Sequence, residues 1–397
     1  MSDREIDSGI AEPTIRPQAS NRQSIFLMTD SLEIGGSERQ YATVARALDR
    51  KLFDVSLGCL QHRGAFLGET GDVTEFDLGG SFVSRRAHKS RSRLAHYLRA
   101  RETELVHSFD FYSNLTLIPT ARYVRIPVII GSHRQLGDLL TPLQFAAQKA
   151  LFWLCDRVVC NSRAAANTLI DHGLPKSKVV VIYNALPGDA FTESVPALPR
   201  TTESFRIGFI ARMNDPVKNH AGFLRVAARV ASRLPGVQFV LVGDGSLRAG
   251  LEDLSRQLGL AGKAQFWGDR RDITAVLAAL DVSVVFSFSE SLSNVILESM
   301  AAGVPVVATR VGGTSEVLRD GETGTLVAPG GEEELAAALE KLATQPSLRA
   351  EHGQRARKIA KANFSLEVVI RQYEQLYLKL LAQKIGARQR QSSAVLQ

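Results

Sequence analysis

Hydrophobic and polar positions alternate on two scales along the chain. Nearly continuous apolar runs at 24–28, 55–59, 73–76, 105–108, 128–130, 158–160 and 179–182 read as strands buried on both faces. Between them lie longer segments with apolar residues at helical spacing, clearest at 38–48, 145–154 and 164–171. This alternation predicts a parallel sheet covered by helices on both sides. The rhythm stops at 187–204, where Pro187, Gly188, Pro196 and Pro199 stand among polar residues and mark a linker. It restarts with strands at 205–210, 237–242, 265–268, 282–286 and 304–308 and an amphipathic helix at 219–234. Helices at 332–342, 348–362 and 366–381 complete it. The expectation is α/β, with doubly wound domains at 24–186 and 205–364 and a terminal helix at 365–385. Residues 1–23 read as a disordered leader. Residues 386–397 read as a tail whose end, Ser393-Ala394-Val395-Leu396-Gln397, looks like the remnant of a protease-removed tag.

Candidate chemistry collects where strands give way to helices. The run Val282-Ser283-Val284-Val285-Phe286 leads through Ser289, Glu290 and Ser291 into a short helix that Gly303 and Pro305 end. Ser293 can cap that helix through its hydroxyl, leaving free amides at its N-terminus. Glu290 precedes the helix, and Glu298 follows Asn294 by one turn on the same face. A helix N-terminus between two carboxylates suits a nucleotide sugar, with amides for the diphosphate and acids for hydroxyls. A surface helix with two solvated glutamates fits the same spacing. Gly35 and Gly36 form a strand-to-helix turn that lets backbone approach a ligand closely. Asp110 and His133 each follow a strand of the first domain, at a crevice edge.

With Ala308-Thr309-Arg310-Val311-Gly312-Gly313 and Gly321-Glu322-Thr323-Gly324 added, the Glu290 to Glu298 stretch resembles the E-x7-E signature of the family 4 glycosyltransferases. These are sugar-nucleotide enzymes of the two-domain GT-B fold. Ser291 and Ser293 stand where that family usually has glycine. The resemblance covers about 24–385 and is sharper in the second half. It implies two Rossmann-like domains facing across a cleft, acceptor on the first and donor on the second, with the last helix crossing back. Arg212 and Lys218-Asn219 match the family's cations for the donor diphosphate. Glu290 is expected to orient the transferred sugar, Glu298 to hold the ribose diol, and His133 to face the donor sugar. Ser293, Asn294 and Val295 supply the helix amides. Gly35 and Gly36 reach toward the phosphate, Gly243 lies near the nucleoside, and Trp267, Arg270 and Asp272 belong to the base pocket. Transfer is expected to retain configuration, from a UDP-sugar more readily than a GDP-sugar, to a glycan or lipid-linked acceptor in cell-envelope assembly. No Asp-x-Asp stands at a strand end, so no metal or other cofactor is expected. An epimerase of the same fold and a non-catalytic sugar-nucleotide binder remain open.

Composition adds limits. At 397 residues the chain is long enough for two cores, and no apolar run approaches the ~20 residues of a membrane span. No signal-peptide pattern opens it. Cys59, Cys155 and Cys160 sit in apolar surroundings and read as reduced core residues of a cytoplasmic protein. The eight histidines show no ligand-like pairing. Net charge is +7, a modest excess that points to no nucleic-acid partner. One segment stands apart. Arg85, Arg86, Lys89, Arg91, Arg93, Arg99 and Arg101 have no acid between Asp77 and Glu102. With Leu94, Tyr97 and Leu98 at helical spacing, this segment suggests peripheral contact with an anionic membrane.

Overall fold

A computed structural model describes residues 22–199 and 204–395, with side chains through residue 385. Residues 1–21 of the expected leader, 200–203 of the linker and 396–397 of the tail lie outside the described residues. The first sheet has seven parallel strands: β1 (Gln23–Thr29), β2 (Phe53–Cys59), β3 (Val73–Glu75), β4 (Leu105–Ser108), β5 (Val128–His133), β6 (Arg157–Cys160) and β7 (Val179–Val181). The second has six: β8 (Phe205–Ile210), β9 (Val237–Val242), β10 (Ala264–Phe266), β11 (Val282–Val285), β12 (Val306–Thr309) and β13 (Gly324–Val327). Their orders are β3-β2-β1-β4-β5-β6-β7 and β10-β9-β8-β11-β12-β13. Each reverses direction once, between β1 and β4 and between β8 and β11, and in such sheets ligands bind beyond the strand ends at the switch point. Those four ends carry Asp30, Asp110, Arg212 and the Ser287–Glu290 turn.

Strand interiors are apolar because helices cover both faces. On one side of the first sheet, Ile25, Leu27 and Val128 pack with Tyr41 and Val44 of the helix Gly36–Ala47. On the other, Phe26, Met28 and Val106 meet Leu94, Leu98 and Leu117. The helix Phe111–Val124 carries Pro119 and turns apolar groups in several directions, which blurs its period in the sequence.

The last helix, Leu366–Val395, returns to the first domain and buries Val369, Ile370, Tyr373, Tyr377, Leu380 and Leu381 there. It runs on through residues expected to be a tail, because Ala, Gln, Lys and Arg favour a helix and no proline stops it. Tyr377 Oη lies 2.6 Å from His107 Nδ1, and His107 Nε2 lies 2.8 Å from Ser132 Oγ. Burial lowers the His107 pKa to about 3, and those of His133 and His220 to about 4.

These three histidines give acid sensitivity with a definite sign. The unfolded chain takes up protons near pH 6.5 that the folded chain refuses, so the contribution of these groups to stability is full above pH 6.5 and is lost as pH drops toward 4. Each contributes a loss of up to about 3 kcal/mol by pH 4. Urea denaturation at pH 7.5 and 4.5 should show the decline, and His133→Gln should make it shallower.

Candidate active site

Lys218 owes its position to local chain chemistry. The Asp215 carboxylate accepts from the Val217 amide at 2.9 Å and starts the 3-10 turn Pro216–Lys218. Asn219 ends it in the left-handed region (φ 57°), which asparagine tolerates, and its side chain caps the helix His220–Arg233. Phe288 N–H donates to Val217 O at 2.8 Å, tying this turn to the one beyond β11. Across that link Lys218 Nζ donates to Glu290 Oε1 at 2.6 Å, and Ser287 Oγ donates to the same oxygen at 2.8 Å. Glycines shape the surrounding turns. A Cβ on Gly312 would lie 1.8 Å from Glu290 O, and one on Gly243 (φ 128°) would lie 2.1 Å from Ala211 O, beside Arg212.

The helix Asn294–Ala302 begins at Ser293, whose hydroxyl makes no capping bond. This corrects the expected cap: Ser293 holds the N-cap position only, and its side chain leaves the first amides uncapped. In front of them is a cavity of about 240 Å³ lined by Gly35, Gly36, Arg212, Lys218, Gly243, Arg270, Glu290, Ser293, Asn294, Val295 and Glu298. A second cavity of about 600 Å³, lined mainly by the first domain, shares Gly36, Arg212, Lys218, Glu290 and Leu292 with it.

Carboxylates line the far wall of the larger cavity. Asp30, past β1, accepts from the amides of Tyr112 and Ser113 at 3.1 and 2.5 Å. Asp110, past β4, accepts from Thr29 Oγ1 and opens the helix Phe111–Val124. Glu38 lies in the first turn of the helix Gly36–Ala47, against Gly35, where a Cβ would come 2.0 Å from its carboxylate. Burial and then Asp110 raise the Asp30 pKa well above the usual carboxylate range. The same two causes raise Glu38 to about 7, against a smaller lowering by Arg212.

Polar contacts close the cleft. Arg39 pairs with Glu298, whose pKa burial raises even so. Arg212 Nη1 donates to Ile34 O at 3.3 Å, Asn184 Nδ2 to Asn294 Oδ1 at 2.6 Å, and Ser291 Oγ to Asn161 Oδ1 at 2.6 Å.

A family described as "Glycosyltransferase Family 4" matches residues 34–187, and one described as "Glycosyl transferases group 1" matches 204–345. The chain is 34% identical to the lipopolysaccharide core biosynthesis glycosyltransferase LpsE of Rhizobium meliloti, over 63% of this chain and 69% of the relative. It is 30% identical to a D-inositol 3-phosphate glycosyltransferase of Mycobacterium marinum, over 80% of this chain and 72% of that one. The chain belongs to glycosyltransferase family 4. Its fold is GT-B: the crystal structure of Anabaena HepE in complex with UDP-glucose aligns with a TM-score of 0.79 at 21% identity, covering 90% of this chain and 100% of that one.

Two expected site residues of this glycosyltransferase lie elsewhere. His133 is fully buried, its ring edge-on to Phe145 and Phe152, while its neighbours Ser132 and Arg134 line the larger cavity. Successive strand residues point to opposite faces, which turns His133 into the core and corrects its proposed role at the donor sugar. Trp267 is half-buried and does not line the cavity of about 240 Å³, with Arg270 5.8 Å from its ring centroid. Arg270 itself pairs with Asp272 at 2.5 Å. The sequence reading missed Asp30, Glu38 and Arg39. Asp30 follows the first strand at the switch point, which was a usable signal; nothing local marks Arg39.

Because the Glu38 pKa rises on folding, its ionisation costs stability above pH 4.5, and the cost is complete above about 7. Glu38→Gln should therefore raise stability at pH 8 by roughly 1–3 kcal/mol and leave it unchanged at pH 4, read by chemical denaturation at each pH.

Proposed function

We propose that this glycosyltransferase moves a hexose-type sugar from a nucleoside diphosphate, UDP before GDP, to a hydroxyl of a glycan or lipid-linked acceptor, with retention of configuration. The observation that carries the reading is that Arg212, Lys218 and Glu290 line both cavities, where donor sugar and acceptor must meet. The diphosphate lies on the amides before Val295, with Arg212 and Lys218 meeting the charge that grows as the bond from the sugar to phosphate breaks. Glu290 orients the sugar, released from Lys218 as phosphate takes over that cation. Glu298 takes the ribose hydroxyls by exchanging its contact with Arg39. Asp30, Glu38 and Asp110 accept hydrogen bonds from the acceptor's hydroxyls. Cations and amides do the work a metal performs in other transferases. HepE in complex with UDP-glucose supports a UDP-sugar donor, and LpsE, named for lipopolysaccharide core biosynthesis, supports a cell-envelope acceptor.

The basic helix Arg85–Ala100 supports a peripheral position on a membrane face. Its apolar residues play a different part from the one expected. Leu94 and Leu98 are buried in the core, and Tyr97 packs on Phe26 and Phe76. The helix therefore offers a bilayer only charge. Arg86 is paired with Asp77 and Arg101 with Asp54, while Arg91, Arg93 and Arg99 lie over the rings of Phe82, Phe76 and Tyr123. Exposed apolar groups nearby are Val83 and Tyr123. Among the described residues no helix is long and apolar enough to cross a membrane.

Release of UDP from UDP-glucose should fall more than tenfold in Arg212→Ala or Lys218→Ala with the fold retained. Near-normal turnover in both at saturating donor places the diphosphate elsewhere. Excess chelator should leave the wild-type rate unchanged; loss that magnesium or manganese restores rejects the metal-free mechanism. Co-sedimentation with liposomes should occur with anionic but not neutral lipid, weaken with salt, and weaken further when Arg91, Arg93 and Arg99 become Glu. Protein left in the supernatant with anionic liposomes at low salt favours a soluble acceptor.

A further inference from the structure

The two domains are joined on the β6 side of the cleft by one carboxylate that the donor chemistry does not use. Glu316 lies on the short helix Thr314–Val317 of the second domain. Its Oε2 accepts from the Arg163 amide at 2.7 Å and from Tyr183 Oη at 3.0 Å, and its Oε1 accepts from the Ala164 amide at 2.7 Å. Arg163 and Ala164 open the first-domain helix Arg163–Asp171, where amides lack partners within the helix and the helix dipole favours negative charge. Ser162 Oγ takes the next amide, that of Ala165, at 3.0 Å, and lies 3.2 Å from Ser291 Oγ across the cleft. Burial and then Glu316 raise the Tyr183 pKa to about 12, so its phenol stays a donor.

The same short segment braces the turn that carries Glu290. Gly313 N–H donates to Glu290 O at 3.2 Å and to Ser291 O at 3.0 Å. A Cβ on Gly313 would fall 2.0 Å from Ser291 O and 2.9 Å from Ser162 Cβ. Only Thr314 and Ser315 thus separate the carboxylate that grips the first domain from the Gly313 amide that holds the Glu290 turn.

We infer that Glu316 is a positioning residue: by capping the helix Arg163–Asp171 across the cleft, it sets the height at which Glu290 and the donor sugar face the acceptor cavity. This rests on the proposed sugar-transfer reading and adds to it the group that registers the domains. Charge-assisted bonds to backbone amides are short and directional, so this contact fixes orientation where the neighbouring hydroxyl and amide contacts adjust.

Glu316→Gln keeps the shape but offers only one acceptor oxygen, Glu316→Ala removes the contact, and Tyr183→Phe removes one bond of three. UDP is the binding probe, UDP release from UDP-glucose the turnover readout, and small-angle scattering of the free protein the closure readout. The expected result is a UDP dissociation constant within twofold of wild type and turnover reduced at least tenfold in Glu316→Ala. Glu316→Gln should be intermediate and Tyr183→Phe mildest, with the radius of gyration rising in the same order and Glu316→Asp recovering part of the rate. A Glu316→Ala protein that folds, scatters as the closed form and turns over within twofold of wild type overturns the inference. If Glu316→Ala does not fold, Glu316→Gln decides by the same criteria. Failure of the wild type to bind UDP or release it from UDP-glucose rejects the donor reading instead, and the scattering series still decides the role of Glu316.

Discussion

Compensation of charge in a shielded cleft is the constraint on which the rest of this structure depends. Glu290 and Lys218 are each largely withdrawn from water and meet at 2.6 Å; Glu298 is buried and meets Arg39. A buried carboxylate without a partner is costly enough to unfold a marginal domain. The free protein therefore supplies a cation for each acid. These pairs occupy the positions that a phosphate and a ribose are proposed to take, and on that proposal ligand binding is an exchange of partners. Asp30, Glu38 and Asp110 have less cationic help, and burial and mutual repulsion drive the first two toward the protonated form.

The contacts across the cleft have the same character. Arg39 with Glu298, Asn184 with Asn294, Ser291 with Asn161 and Glu316 with the helix Arg163–Asp171 are all polar. The large apolar surfaces lie within each domain, under the returning helix Leu366–Val395, and at the chain crossing where Tyr183 and Leu186 join the cluster of Leu297 and Phe364. Polar contacts are individually modest because water replaces them when they break. Such an interface can open to admit a nucleotide sugar and close again without exposing a core, which a water-excluding transfer requires.

The basic helix Arg85–Ala100 and the buried histidine show where local pattern misleads. Leu94, Tyr97 and Leu98 repeat at the spacing of an interfacial helix, but that spacing equally marks a helix lying on a sheet, and the sheet claims them. His133 follows an apolar run that is buried on both faces. Such a run carries no alternation to say which parity points to the cleft, and the ring packs between Phe145 and Phe152. Arg39 was invisible for another reason. Its partner is 259 positions away, and only the packing of two domains brings them together.

The sequence by itself determined the two α/β domains and the turns that line the smaller cavity. There Arg212, Lys218, Glu290 and the Asn294 helix are set by strand ends and turns a few residues long, and short-range backbone geometry is written in local residue types. Tertiary structure alone decided the pairing of Glu298 with Arg39, the gathering of Asp30, Glu38 and Asp110 into one wall, the retreat of His133, and the grip of Glu316 on the first domain. Each of these depends on which faces meet across long sequence separations. That is settled by burial and charge compensation over the whole chain rather than by neighbours along it.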